Sequence, residues 1–128
     1  MPALNIIRKT GPAGYAAEEE ITGGQVVAPG ASGGVVVAEA DAEVILGVAL
    51  VDAAPTDLEV GDIKVARPRM TSVAYGPAEV KLAYTGTLAH GDQVGVGAGG
   101  AVKKHSAGAV VGIVSQPPAG GFAVVRLA

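Results

Sequence analysis

Residues 79–84 show the clearest alternation between apolar and polar positions in the chain. Val80, Leu82 and Tyr84 occupy one face of an extended segment there, and two charged residues occupy the other. A repeat of two residues is typical of a strand with one buried face. The pattern therefore predicts a half-buried strand.

Two longer runs, residues 44–51 and 110–114, are apolar on both faces, which predicts buried central strands. Gly47 and Gly112 lie near their middles and indicate a bulge or bend, as in a strongly curved sheet. Weaker patterns predict strands at residues 25–28, 34–39, 61–67, 70–75, 93–96, 101–104 and 122–127.

Helical signals are short. Residues 16–20 contain two alanines and three glutamates but run directly into β-branched residues, and the capping-box pair Thr56 and Glu59 is soon followed by a glycine. Segments this short are not stable helices by themselves. The sequence therefore predicts an all-β domain over residues 23–128.

The chain also repeats itself. The first copy contains segments 24–27, 33–35 and 44–49, the second contains segments 92–95, 99–102 and 109–114, and the glycine-led strands that close them are residues 61–65 and 121–125. Two such copies suit a small barrel or sandwich with internal pseudo-symmetry. Because Gly, Ala and Val make up half of the chain, chance similarity is the alternative.

Composition excludes several classes of function. The chain has no cysteine, which rules out disulfide scaffolds and cysteine-based zinc sites. It has no tryptophan and one phenylalanine, so it lacks the stacking platforms of single-strand binders, and a sugar-stacking site is disfavoured. A net charge of −3 argues against nucleic acid as a partner. The chain has no run of 18 apolar residues, so no membrane span is predicted.

No enzymatic, cofactor or metal site is predicted. Residues 95–100 match G-x-G-x-x-G, but a predicted strand follows them and no acidic residue comes later, so a hairpin tip explains them better than a dinucleotide site. His90 and His105 have no carboxylate cluster near them in sequence. Ser106 lacks the context of a nucleophile elbow.

Residues 1–22 differ from the rest of the chain. Their prolines and glycines interrupt regular structure, and an apolar cluster of Leu4, Ile6 and Ile7 stands beside Arg8 and Lys9. We interpret this segment as an extended arm whose apolar cluster needs a surface to cover it. The alternative is a first strand folded onto its own domain.

Charge is unevenly distributed along the sequence. Residues 11–63 contain ten acidic residues and no basic one, whereas residues 64–81 contain four basic residues and one acidic residue. Ordinary solvated surface is one explanation. The other is complementary surfaces that meet between subunits, for which the candidate residues are Glu18, Glu19, Glu20, Lys64, Arg67 and Arg69.

Several segments together resemble the capsid decoration, or cement, proteins of tailed bacteriophages. They are residues 23–27, 44–50, 52–54, 86–94, 99–104 and 111–114. Their order and spacing carry the resemblance, which covers roughly residues 23–128.

The resemblance implies a non-enzymatic structural protein with a small β-barrel or β-tulip-like fold. Such proteins sit on the outer surface of the virion head, usually as homotrimers at three-fold positions, after synthesis in the host cytoplasm. There they clamp major capsid protein subunits against the pressure of packaged DNA. The expected capsid contacts are those of the arm: Leu4, Ile6, Ile7, Arg8 and Lys9. The alternative is a ligand-binding β-module for host or sugar attachment on a virion surface.

Overall fold

The computed structural model describes residues 12–127, which are β structure apart from turns, loops and one 3₁₀ turn at Ala98–Gly100. This confirms the predicted all-β class. The strands are β1 (Ala13–Ala16), β2 (Val26–Pro29), β3 (Val35–Val37), β4 (Gly47–Ala49), β5 (Leu58–Val60), β6 (Ile63–Val65), β7 (Met70–Ala74), β8 (Glu79–Ala83), β9 (Gln93–Val96), β10 (Val102–Lys104), β11 (Gly112–Val114) and β12 (Phe122–Leu127).

Ten strands form two five-stranded antiparallel sheets, and β5 and β6 form a separate hairpin. The orders are β1-β7-β4-β2-β3 and β10-β9-β11-β12-β8. The segments that follow β1 and β8 each reach the other edge of their sheet at one parallel bridge, Ala17 with Val35 and Tyr84 with Val102. Neither sheet is closed into a barrel by a continuous ladder, so the structure has two open antiparallel sheets where the sequence predicted a barrel-like or sandwich domain.

The two sheets share one topology. The first unit consists of β1, β2, β3, β4 and β7, and the second consists of β8 to β12. When the strands of each unit are numbered from one to five, both sheets have the order 3-2-4-5-1. The described chain therefore contains two units of one topology in tandem, and the β5–β6 hairpin lies between the fourth and fifth strands of the first unit.

Strand register aligns the units residue by residue. Val27 pairs with Gly47 in the first unit, and Val94 pairs with Gly112 in the second. The same registers make Val35 of the first bridge equivalent to its counterpart in the second. The structure thus confirms the internal repeat.

In the first segment of the repeat, the register differs by one residue from the sequence match, which set Gly24 beside Asp92. In the structure Gly24 is equivalent to Gly91. Their backbone N–H groups donate to the carbonyls of Ala49 and Val114 at 2.7 and 2.9 Å. Side-chain direction decides this register, because a one-residue slip turns every buried side chain of a strand outward.

The closing strand of the first unit also differs from the prediction. The sequence assigned residues 61–65 to this place, but β7 occupies it, pairing Ala74 with Val48 and Val73 with Ala49. These β7 side chains are buried, whereas residues 61–65 are exposed. Burial against β4 therefore selects β7.

Aliphatic side chains form two clusters. The first lies within the first unit and contains Ala17, Ile21, Val27, Val35, Ala49, Ala53 and Val73. The second fills the second unit and continues onto Val26, Ala38, Val48 and Ala74 of the first unit. The units therefore share a core across their junction.

The part of the predicted arm that the structure describes belongs to the domain. β1 pairs with β7 along its full length, and Ala17 and Ile21 are buried in the first cluster. The arm boundary predicted at residue 22 therefore differs from the structure, because residues 13–21 have sheet and core contacts. Residues 1–11 lie outside the described part of the chain.

Candidate functional surface

The β5–β6 hairpin presents an apolar face to solvent. Leu58 pairs with Val65 and Val60 pairs with Ile63, and because side chains alternate along a strand, all four lie on one face. Their exposed fractions are 44, 45, 58 and 65%, respectively. We call these four side chains the hairpin face.

Two arginines brace the base of the hairpin. Arg67 Nε donates to the carbonyl of Thr56 at 3.1 Å, and Arg69 Nη2 donates to Asp57 Oδ1 at 2.6 Å. Arg69 Nη1 also donates to the carbonyl of Arg67 at 3.0 Å. These bonds tie the segment that enters the hairpin to the segment that leaves it.

The same contacts set the ionisation of Asp57. The hydrogen bond from Arg69 holds the pKa of this carboxyl below its usual range, and the positive charge of Arg69 acts in the same direction. Desolvation opposes the effect without cancelling it. Asp57 is therefore ionised at neutral pH and keeps its partner at the hairpin base.

Glu18, one of the predicted inter-subunit residues, organises the turn between β2 and β3. Its carboxylate accepts hydrogen bonds from the backbone N–H of Ser32 at 3.0 and 3.2 Å and of Gly34 at 2.6 Å. A Cβ at Gly30 or Gly34 would overlap this carboxylate. The two glycines therefore make room for an internal acceptor.

The other predicted inter-subunit residues also have partners within the chain. Glu19 accepts from a backbone N–H of β3 at 2.7 Å. Glu20 lies 3.3 Å from Arg67, and Lys64 lies 3.8 Å from Glu59 across the hairpin. The acidic and basic stretches of the sequence thus meet within one chain, with Arg67, Arg69 and Lys64 all at the hairpin or its base.

The glycine-rich residues 95–100 form the end of the β9–β10 hairpin, as predicted. This end packs against the first unit, where Gln25 Nε2 donates to the carbonyl of Gly99 at 3.1 Å. Nearby, Lys103 Nζ lies 2.9 Å from Asp41 Oδ1. The glycine-rich segment therefore contributes contacts to the junction between the two units.

A cleft of about 310 Å³ opens beside this junction. Glycine and alanine residues line much of it, together with Lys81 and Phe122. The Lys81 ammonium lies 5.1 Å from the centre of the Phe122 ring, which is cation–π distance. Phe122 is the one phenylalanine of the chain and the one aromatic residue that lines this cleft, so the cleft offers a single ring for stacking.

The two histidines have different surroundings. His105 Nε2 is hydrogen-bonded to the carbonyl of Gly108 at 2.9 Å, and His90 lines a surface pocket with Arg126. Among residues 12–127, no group of three His, Cys, Asp or Glu side chains is arranged to hold a metal ion. The same residues form no helix long and apolar enough to cross a membrane.

The hairpin face was missed by the sequence interpretation. A signal for it exists, because the apolar pairs flank the two-residue turn Gly61-Asp62, as in a β-hairpin. Only the second of the two strands was predicted. The predicted capsid contacts Leu4, Ile6, Ile7, Arg8 and Lys9 lie outside the residues that the structure describes.

No protein-family model matches the chain, and no curated protein sequence matches it. Among solved structures, the chain is similar to the crystal structure of the head fiber gp8.5 N base in bacteriophage phi29. The match covers 94% of this chain and 95% of that one, with a TM-score of 0.64 at 15% sequence identity. The chain therefore shares the fold of a bacteriophage head fiber base.

Proposed function

We propose that the chain is a structural protein of a bacteriophage head, without enzymatic activity. The observation that carries this proposal is the shared fold, which extends over 94% of this chain and nearly all of the head fiber base. The match spans both units and their junction. Resemblance to capsid decoration proteins in the order of several sequence segments supports the same conclusion independently.

Within that role, decoration of the outer capsid surface fits the architecture best. A decoration protein needs a stiff body and complementary surface, and here the two units share one core. Each contact with the shell can be weak, because a protein that binds only the assembled state stabilises that state by mass action. Such binding would oppose the outward pressure of packaged DNA.

The partners in this proposal are the major capsid protein and further copies of the chain. Trimers at three-fold positions match the expected head-to-tail contact between unlike surfaces, which closes into rings. Of the six charged residues predicted at subunit contacts, Glu20, Lys64 and Arg69 are exposed at the hairpin or its base, and they are the candidates for contacts between subunits in addition to their partners within the chain. The segment before β1, with Leu4, Ile6, Ile7, Arg8 and Lys9, contacts the shell.

Microscopy of virions from the phage that encodes the chain tests this function. Heads with an intact gene should show density for three copies at three-fold or quasi-three-fold positions. Heads from a phage with the gene disabled should lack this density and break at lower temperature. Heads without such density in both preparations would refute the proposal.

The cleft beside Lys81 and Phe122 is the specific feature that favours the alternative, a ligand-binding module for host or sugar attachment. Binding of the isolated protein to a glycan array, abolished by Phe122→Ala, would favour this alternative. We expect no such binding, because the chain has one phenylalanine and no tryptophan with which to stack on a sugar.

A further inference from the structure

The β5–β6 hairpin has no counterpart in the second unit. In the second unit, residues 115–121 join the fourth strand to the fifth, whereas residues 50–69 make the same connection in the first unit. The two sheets have the same strand order despite this difference. The hairpin is therefore not required to build the sheet.

The hairpin also contributes nothing to either hydrophobic cluster. Residues 58–66 are all exposed, and none of them belongs to a cluster. A two-stranded hairpin without a covering layer is only marginally stable in water. Its base is nevertheless braced by Arg67 and Arg69, so an exposed apolar face is held out from the body in a defined position.

The size of the hairpin face narrows the choice of occupant. A buried aliphatic side chain removes on the order of 100 Å² from water, so four side chains that are about half exposed offer about 200 Å². A stable pairwise interface buries about 800 Å² on each partner. The hairpin face alone is too small to hold two copies together, and it suits a contact repeated many times on one surface.

The described chain begins at the end of β1 that is farther from the hairpin. β1 runs antiparallel to β7, with Ala16 opposite Met70 and Ala13 opposite Val73. The hairpin precedes β7, which begins at Met70, so residue 12 lies at the far end of β1, about 13 Å along the strand from the level of Met70 at the usual rise of a strand. To cover the hairpin face, residues 1–11 would therefore have to turn back along the length of β1.

We propose that the hairpin face docks against an apolar surface of the assembled head shell, as a second contact beside the N-terminal segment. This inference rests on the proposed function. In a decorating trimer, three hairpins meet one lattice, and linkage makes each later contact intramolecular. Small contacts then add up to stable attachment.

Shell binding by a polar hairpin variant tests the inference. Val60→Ser combined with Ile63→Ser removes the most exposed apolar part of the face. The matched control, Val44→Ser combined with Ile113→Ser, changes side chains of comparable exposure (62 and 47%) elsewhere. Each protein is titrated onto heads purified from a phage that lacks the gene. We expect at least a ten-fold loss of apparent affinity for the hairpin variant and less than a two-fold change for the control.

The outcomes separate the inference from the proposed function. Failure of the wild-type protein to bind heads would overturn both. Normal binding by the hairpin variant would overturn the inference alone. Loss of self-association in sedimentation velocity, with head binding reduced only as a consequence, would assign the hairpin face to a second copy and also overturn it.

Hydrogen–deuterium exchange of the wild-type protein keeps the inference falsifiable if the variant folds poorly. The hairpin amides should exchange at least ten-fold more slowly on heads than in free protein. Unchanged exchange would overturn the inference. Faster hairpin exchange in free protein after deletion of residues 2–11 would identify that segment as the occupant, with the same consequence.

Discussion

Gly47 and Gly112 occupy the same place in the two units, where the fourth strand passes closest to the fifth. A Cβ at Gly47 would overlap the carbonyl oxygen of Ala74, and a Cβ at Gly112 would overlap that of Arg126. Gly47 also has a φ of +147°, but Gly112 has no such positive φ. Close backbone approach is therefore the reason that both positions share.

Gly47→Ala and Gly112→Ala should each destabilise the domain by about 2–3 kcal/mol, as expected for overpacking at a site that cannot relax. Chemical denaturation measures the change. Gly14→Ala is the control, because a Cβ there would make only an ordinary contact with Met70, and we expect a change within about 0.5 kcal/mol. Equal effects at all three glycines would contradict the interpretation.

Val48 and Ile113 are equivalent positions with opposite burial, 1 and 47% exposed. The second unit covers the face around Val48, whereas the matching face around Ile113 is open to solvent. Val48→Ala should cost about 2 kcal/mol of unfolding free energy and Ile113→Ala less than about 1 kcal/mol. A larger loss for Ile113→Ala in thermal or chemical unfolding would show that the units do not pack as described.

Glu18→Ala should destabilise the domain because it leaves the N–H groups of Ser32 and Gly34 without their acceptor. Hydrogen bonds to a charged group contribute about 1.5–3 kcal/mol, and we expect a loss in that range. Glu43→Ala, which removes the same charge from an exposed loop position, is the control. Similar stability of the two variants in urea would mean that Glu18 is only a surface charge.

Arg69→Gln should raise the pKa of Asp57 toward its ordinary value, because the hydrogen bond and charge that lower it are removed. An Asp whose native pKa is lowered contributes stability above its unfolded pKa and loses it as pH falls through the native pKa. The variant should therefore be less stable than wild type at neutral pH, and the difference should decrease in acid to the part that comes from the hydrogen bond between Arg69 and the carbonyl of Arg67. NMR titration of Asp57 gives the direction of the shift, and Arg126→Gln should leave that titration unchanged.

Deletion of residues 2–11 should leave the melting temperature nearly unchanged, because β1 and its pairing with β7 remain. Deletion of residues 2–17 should destabilise the domain, since it removes β1 and the buried Ala17. Under the proposed function, the shorter deletion should also lower capsid occupancy. Wild-type occupancy after that deletion would exclude Leu4, Ile6 and Ile7 from attachment.

Local pattern was sufficient for some strands and misleading for others. β9 and β12 have the bounds predicted for them. The apolar run of residues 44–51 is a strand only at Gly47–Ala49, and Val44 and Leu50 on either side are exposed. β1 has no strand pattern of its own, because three of its four residues are alanine or glycine and apolar and polar residues do not alternate along it. Its strand conformation comes from pairing with β7.

For the hairpin face, too, the sequence predicts one part of the structure and not another. The apolar residues of the hairpin face and the Gly61-Asp62 turn stand together in the sequence, so a hairpin could have been predicted there. Its exposure could not, because the burial of an aliphatic side chain depends on what packs over it. Lys64, Arg67 and Arg69 were predicted to contact other subunits from the charge pattern alone, and that pattern did not reveal the partners that the fold gives them within the chain.

The sequence by itself determined the all-β class, the aliphatic character of the core and the internal repeat, because these follow from composition, two-residue alternation and glycine spacing. Only the tertiary structure decided which strand closes the first unit. It decided whether residues 13–21 join the sheet and core of that unit. It also decided that Val48 is covered while Ile113 is not. These outcomes depend on contacts between segments far apart in the chain, and a local pattern carries no information about which distant surface will exclude water from it.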